Sequence, residues 1–245
     1  MNEHDMTWYV DEAKMISHCA PIFFLPHADA RPCDITANGT TALLDTGQRK
    51  VLVTCFHVWE EFQIYRDKIP TACLCTILSN GFRFPVTIPA TALIDSDEGL
   101  DLAVIEATPE IWEMGYKEFY RVERWPIPKA SVGSPVAFVG FPGEARITNE
   151  HAGNFQYSAF GVTVAGVSDR KIIIAGKGEA GNLLDNDGNK LPPMSMGGLS
   201  GAPAYVRDGK ARFLLTGFVQ MGRTSSDDLF LTHASVLNRD GTLNK

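Results

Sequence analysis

The sequence predicts an all-β protein made of two successive barrels, on three observations. Short β-rich runs recur along the chain, clusters of Gly, Pro, Asn and Asp separate them at the spacing of a barrel or sandwich, and one helix-like stretch divides them into two series of six. With 245 residues, 44% hydrophobic and 21% charged, the chain can bury a core either as one large all-β domain or as two small units packed together.

The first series is APIFFL (20–25), TTALLD (40–45), KVLVTCF (50–56), ACLCTIL (72–78), FRFPVTI (82–88) and DLAVIEA (101–107). The second is PVAFVGF (135–141), FQYSAFGVTVAGV (155–167), KIIIAG (171–176), APAYVR (202–207), RFLLTGFVQ (212–220) and LFLTHA (229–234). Between them, Thr108 can cap a helix whose first position is Pro109 and whose first turn is acidic, and Pro126 and Pro128 stop it. The boundary therefore falls near residue 125, giving an N-terminal extension over 1–19, a first barrel over 20–124 and a second over 125–245. A short C-terminal helix is expected from Ala234, ending by the turn residues Asn238 to Gly241.

Charge and composition exclude several classes of function. A net charge of -7, with Lys and Arg scattered singly, provides no basic field for nucleic acid. The opening MNEHDMTWYVDEAKM lacks the apolar stretch of a signal peptide, and no later run approaches the ~20 apolar residues of a membrane span. A cytoplasmic protein without a membrane partner is expected. Five cysteines, an odd number, fit that compartment. Alternation places Cys73 and Cys75 on one strand face, either as a buried inert pair or as part of a metal or redox site, and two thiols alone are too few for a metal.

The strongest chemical signal is GGLSGAP at 197–203, a serine wedged between glycines and followed by a strand. Small neighbours let the backbone bend so that the N–H groups of Gly198 and Ser200 converge beside the hydroxyl as an oxyanion hole. A plain glycine-rich turn is the alternative. A serine hydroxyl needs a base, and of six histidines His57 stands out, at the end of the apolar run KVLVTCF where a buried strand opens to solvent. The third member is a carboxylate that fixes the imidazole tautomer. In DSDEGLDLAVIEA, Asp101 adjoins the apolar strand directly, while Asp95 and Asp97 read as solvated turn residues, with Asp97 as the fallback.

VTCFHV, LDLAVIE and GGLSGAP together resemble the histidine, aspartate and serine motifs of the trypsin-like serine peptidases, in the same order. NGTTALLD (38–45) and AFVGFPG (137–143) are similar to elements of the bacterial branch that includes the HtrA proteases and stand-alone trypsin-like peptidases. The resemblance implies a single trypsin-like domain over 1–245. Its two six-stranded antiparallel β-barrels would lie perpendicular, with the catalytic residues His57, Asp101 and Ser200 in the cleft between them. It also implies that the strand in GFVQMG (217–222), with Gly217, Phe218 and Val219, pairs with a peptide as an added strand. Met194, with Met196 nearby, would form the base of an uncharged pocket for small or aliphatic side chains; plain packing under the loop is the alternative.

Departures are informative. Leu199 stands where the digestive enzymes carry an aspartate, so activation by a newly cut N-terminus is not expected, and neither is a PDZ domain after the peptidase. The function expected is a serine endopeptidase needing no cofactor and no metal, with a protein or peptide substrate and room for a regulatory partner protein. The alternative is a latent or inactive domain that binds peptides, as a turned peptide bond beside Gly198 would produce. An α/β-hydrolase esterase fits poorly, because that fold needs the order Ser, Asp, His.

Overall fold

The first-series strands are apolar on both faces because each face is covered by something different. In the computed structural model, which describes residues 13–78, 85–113, 117–150, 153–174, 197–207, 213–220 and 229–245, these strands are β1 (Cys19–Leu25), β2 (Asn38–Asp45), β3 (Lys50–Thr54), β4 (Cys73–Thr76), β5 (Val86–Ile88), β6 (Leu93–Asp97) and β7 (Leu102–Glu106). Leu43, Leu52, Ala103 and Ile105 point into the core of their own sheet, whereas Ala42, Leu44, Val51, Val53, Leu102 and Val104 point at the second unit. This double burial produces near-continuous hydrophobic runs in place of an in-and-out alternation.

The first sheet has the order β5-β4-β1-β2-β3-β7-β6 and curls into a half-barrel, with seven strands along its path where six were expected. Its ends are the short β5 and the partly exposed β6, between which no pairing occurs among the described residues. A two-residue strand, β8 (Tyr120–Arg121), adds in parallel to the end of β2. β6 itself was not anticipated: Asp95 and Asp97 are half-buried strand residues and not solvated turn residues. Asp95 accepts the backbone N–H of Leu243 and pairs with Lys245 at 2.9 Å, tying the C-terminus to this edge.

The second unit closes fully. β9 (Pro135–Gly140), β12 (Ser158–Val167), β13 (Lys171–Ile174), β14 (Pro203–Arg207), β15 (Phe213–Gln220) and β16 (Leu229–His233) form a barrel in the order β12-β13-β16-β15-β14-β9. Its interior holds Phe138 stacked on Phe160 with Val164, Ile172, Val219 and Leu231. A small hairpin, β10 (Arg146–Thr148) and β11 (Gly153–Phe155), interrupts the run read as continuous from residue 155. The opposite faces of β9, β14 and β15 present Ala137, Val139, Tyr205, Leu215 and Phe218 to the first unit, making one shared core.

Besides a short helical stretch over residues 13–17 ahead of β1, the described residues hold two α-helices, α1 (Phe56–Lys68) and α2 (Pro109–Glu113). α2 starts after Thr108 as anticipated but does not run on to Pro126: it is described to Glu113, and Tyr120–Arg121 is already strand. α1 was not anticipated: the strand expected through Phe56 ends at Thr54. Val58, Trp59 and Phe62 lie on its buried face and pack with Phe24. The C-terminal helix expected from Ala234 takes the form of one 3₁₀ turn, Ala234–Val236. Cys73 and Cys75 share a face against the cluster of Phe23, Leu25 and Ile77, and burial pushes the Cys75 thiol up to about 12.

Two buried histidines make this fold acid-sensitive. His18 packs edge-on against Tyr120 with its Nδ1 at 2.9 Å from the Glu118 carbonyl, and His233 is fully buried with Nε2 at 3.1 Å from the Ser168 carbonyl. Burial lowers both pKa values. The native state thus refuses protons that an unfolded chain accepts near pH 6.5, so stability holds above that pH and falls as pH drops through it. Thermal denaturation is expected at lower temperature at pH 5.5 than at pH 7.5, and a His18→Gln/His233→Gln variant should show a shallower decline. An equally steep decline in the variant would refute the assignment.

Candidate active site

The turn from β3 into α1 positions His57. Cys55 is the extended residue before the helix, and His57 follows one residue into it. The first N–H groups of a helix have no partner within it. That of His57 donates to Asp101 Oδ1 at 3.0 Å. The same carboxylate receives the imidazole Nδ1, at 3.0 Å from Oδ1 and 2.9 Å from Oδ2. Asp101 thereby caps α1 and orients the ring on it. With Nδ1 protonated toward Asp101, Nε2 accepts from Ser200 Oγ at 3.0 Å.

Asp101 is held from both units. It lies between β6 and β7 with φ +50°, a left-handed conformation that Asp tolerates better than most residues. Asp97, the fallback, does not approach His57 as a partner: its Oδ1 accepts the Leu100 N–H at 2.7 Å and shapes this turn. The Leu100 carbonyl accepts from Thr232 Oγ1 at 2.7 Å and from Gln220 Nε2, two side chains of the second barrel.

The serine loop is shaped by backbone contacts that need glycine. Gly201 has φ +90°, and a Cβ there would stand 2.3 Å from the Thr40 carbonyl; Gly198 has φ +92°, and a Cβ would stand 2.5 Å from the Phe141 carbonyl. Thr40 clamps the loop, its N–H donating to the Ser200 carbonyl at 3.0 Å and its hydroxyl to the Gly198 carbonyl at 2.8 Å. The Gly197 carbonyl accepts the Gly143 N–H at 2.7 Å, and the Leu199 carbonyl accepts that of Ala202 at 2.9 Å. In a trans peptide the N–H points opposite the carbonyl. The N–H groups of Gly198 and Ser200 therefore face away from Gly143 and Ala202, and among the described residues neither donates to a protein acceptor.

Gly217, Phe218 and Val219 do not form the free edge anticipated for a peptide. They lie within β15, paired on one side to β16 and on the other to β14 or the serine loop, with Gly201 N–H donating to the Val219 carbonyl at 2.9 Å. An added strand cannot pair where both edges are filled. Met194 and Met196 lie outside the described residues. Thr40, Thr232 and Gln220 were missed because each acts on a segment far away in sequence. For Thr232 and Gln220 the one local signal is a polar side chain in a largely apolar strand.

Cys55, His57 and Asp101 bring one sulfur, one nitrogen and one oxygen donor within 4.8 Å of one another. The Cys55 thiol is fully buried and donates to the Val219 carbonyl at 3.2 Å. Burial, with the Asp101 charge beside it, pushes its pKa well above the usual thiol range. It stays protonated, so it is a poor metal ligand and a poor nucleophile.

The architecture has solved counterparts. The chain is similar to Deg5, with a TM-score of 0.57 and 15% identity, covering 95% of this chain and 91% of that one. It is also similar to AL20, a thermostable serine protease from an extremophilic microorganism, with a TM-score of 0.50 and 13% identity over 89% and 91% of the two chains. The fold is the trypsin-like double barrel. No protein-family model and no curated protein matches the sequence. At such identities the likeness carries the trypsin-like architecture, and the chemistry rests on the geometry of this chain's own residues.

Proposed function

We propose that this protein is a serine endopeptidase acting on protein or peptide substrates. The observation that carries the reading is the unbroken run of hydrogen bonds from Asp101 through His57 to Ser200, at 2.9 and 3.0 Å. Ser200 Oγ attacks the scissile carbonyl carbon while its proton passes to His57 Nε2. The carbonyl oxygen becomes an oxyanion within reach of the Gly198 and Ser200 N–H groups. Collapse breaks the C–N bond, and the imidazolium returns its proton to the leaving amine. Water, deprotonated by the same imidazole, then hydrolyses the acyl ester and restores Ser200.

A latent binding module would need the peptide between Gly197 and Gly198 to be turned, with the Gly197 carbonyl in the oxyanion position. The bond from Gly143 N–H to that carbonyl favours the catalytic reading. A fluorophosphonate probe read by intact mass tests it. The native chain should gain one adduct, and Ser200→Ala and His57→Ala should gain none. A folded native chain that stays unlabelled under several conditions would sink the proposal.

Thr232 acts as a positioning residue through Leu100. Thr232→Val is expected to lower kcat about fivefold with little change in KM, and Thr232→Ser to restore it. An equal loss in both Thr232 variants would show that the hydroxyl positions nothing.

A further inference from the structure

Arg146 opens β10, directly after the Gly143–Ala145 turn that abuts the serine loop. Its guanidinium donates to Asn38 Oδ1 at 3.0 Å, and Asn38 Nδ2 donates to the Phe141 carbonyl at 3.0 Å. Both ends of the Asn38 amide are thus engaged, which fixes the guanidinium in place. Asn38 Nδ2 also lies 2.8 Å from where a Cβ on Gly198 would stand. One side chain therefore separates Arg146 from the backbone that flanks Ser200.

The cation is half-buried, and among the described residues no carboxylate pairs with it and Asn38 is its one hydrogen-bond partner. Two other arginines have carboxylate partners, Arg31 with Asp34 and Glu150 and Arg49 with Glu106. Desolvation lowers the Arg146 pKa with nothing to offset it. A desolvated guanidinium with spare N–H donors gains most from an anion that arrives with the ligand, and its planar fork matches a carboxylate.

We propose that Arg146 forms a carboxylate-binding subsite beside Ser200, so that the peptidase favours polypeptides carrying Asp or Glu within about two or three residues of the scissile bond. The inference rests on the peptidase reading and names the substrate class of that same site. A mixture of peptides prepared from a cell lysate by cleavage at lysine, digested by the native protein and by Arg146→Gln, Arg146→Lys and Arg146→Glu, tests it when cut sites are read by mass spectrometry. Fluorophosphonate labelling of the native protein runs alongside.

For the native protein, Asp and Glu should exceed Asn and Gln about tenfold at one position beside the cut. Arg146→Gln should erase that preference, and Arg146→Glu should turn it toward Arg. Arg146→Lys, which keeps the charge and the contact to Asn38, should retain part of it and guards against a fold lost with the side chain. A labelled native protein with no acidic preference, or one that persists in Arg146→Gln and Arg146→Glu, overturns the subsite alone. A native protein that takes no label overturns the peptidase reading, and the subsite falls with it.

Discussion

Alanine at Ser200 or at His57 is expected to reduce peptide turnover by about 10⁶-fold, and the double variant should be no worse than either single one. The two side chains act as a unit: without Nε2 the hydroxyl has no base, and without the hydroxyl the base has no proton to take. The 3.0 Å contact between them is the only path for that proton in the described structure. Cys55 cannot substitute as nucleophile in Ser200→Ala, because its thiol is buried, protonated and committed to the Val219 carbonyl. Residual turnover of the two single variants, measured on one peptide, should therefore agree within a few-fold. Losses that multiply in the double variant would mean that the residues act independently and that the assigned proton path is wrong.

Much of the second barrel was legible because its strands are bounded by turn residues and carry apolar side chains toward one interior or two. The strands expected at 135–141 and 229–234 correspond to β9 and β16, each ending one residue early, and that expected at 171–176 corresponds to β13, with 175–176 outside the described residues. His57, Asp101 and Ser200 were legible because each adjoins an apolar strand or sits among glycines, and the structure brings all three together. α1 was not, and the reason is physical. Its N-cap position holds Cys55, which makes no side-chain cap bond, so the local signals of a helix start are missing. Asp101 supplies the acceptor from across the sheet.

Closure of a sheet is also a non-local property. Whether β5 and β6 meet depends on curvature accumulated over the sheet, and no run of residues announces that they stay unpaired among the described residues. The free edge expected at Gly217, Phe218 and Val219 failed for a related reason, while residues 221–222 of that run lie outside the described residues. Gly217, Phe218 and Val219 alternate as any strand does, and only the pairing of both neighbours shows that the edges are filled. Thr40 illustrates the converse, since a threonine in a strand is unremarkable until its hydroxyl is found on the Gly198 carbonyl.

Asp101→Asn is expected to keep the fold and lower turnover by about 10⁴-fold. Asparagine has the same shape and tolerates the left-handed backbone at φ +50°. Its orientation is not free. The His57 backbone N–H requires an acceptor at the position of Oδ1, which places the amide carbonyl there and the NH₂ where Oδ2 now stands, 2.9 Å from the ring Nδ1. Two donors then face each other unless Nδ1 gives up its proton. The imidazole shifts to the tautomer protonated on Nε2, which offers Ser200 a donor where it needs an acceptor. A positive charge forming on the ring also loses its anionic neighbour. The expected signature is a large fall in kcat and in the rate of fluorophosphonate labelling, with thermal stability close to the native value. Asp101→Ala, which leaves the first turn of α1 uncapped, should lose stability as well as activity. An Asp101→Asn protein within tenfold of native turnover would show that the carboxylate only caps the helix and that His57 takes its tautomer from elsewhere.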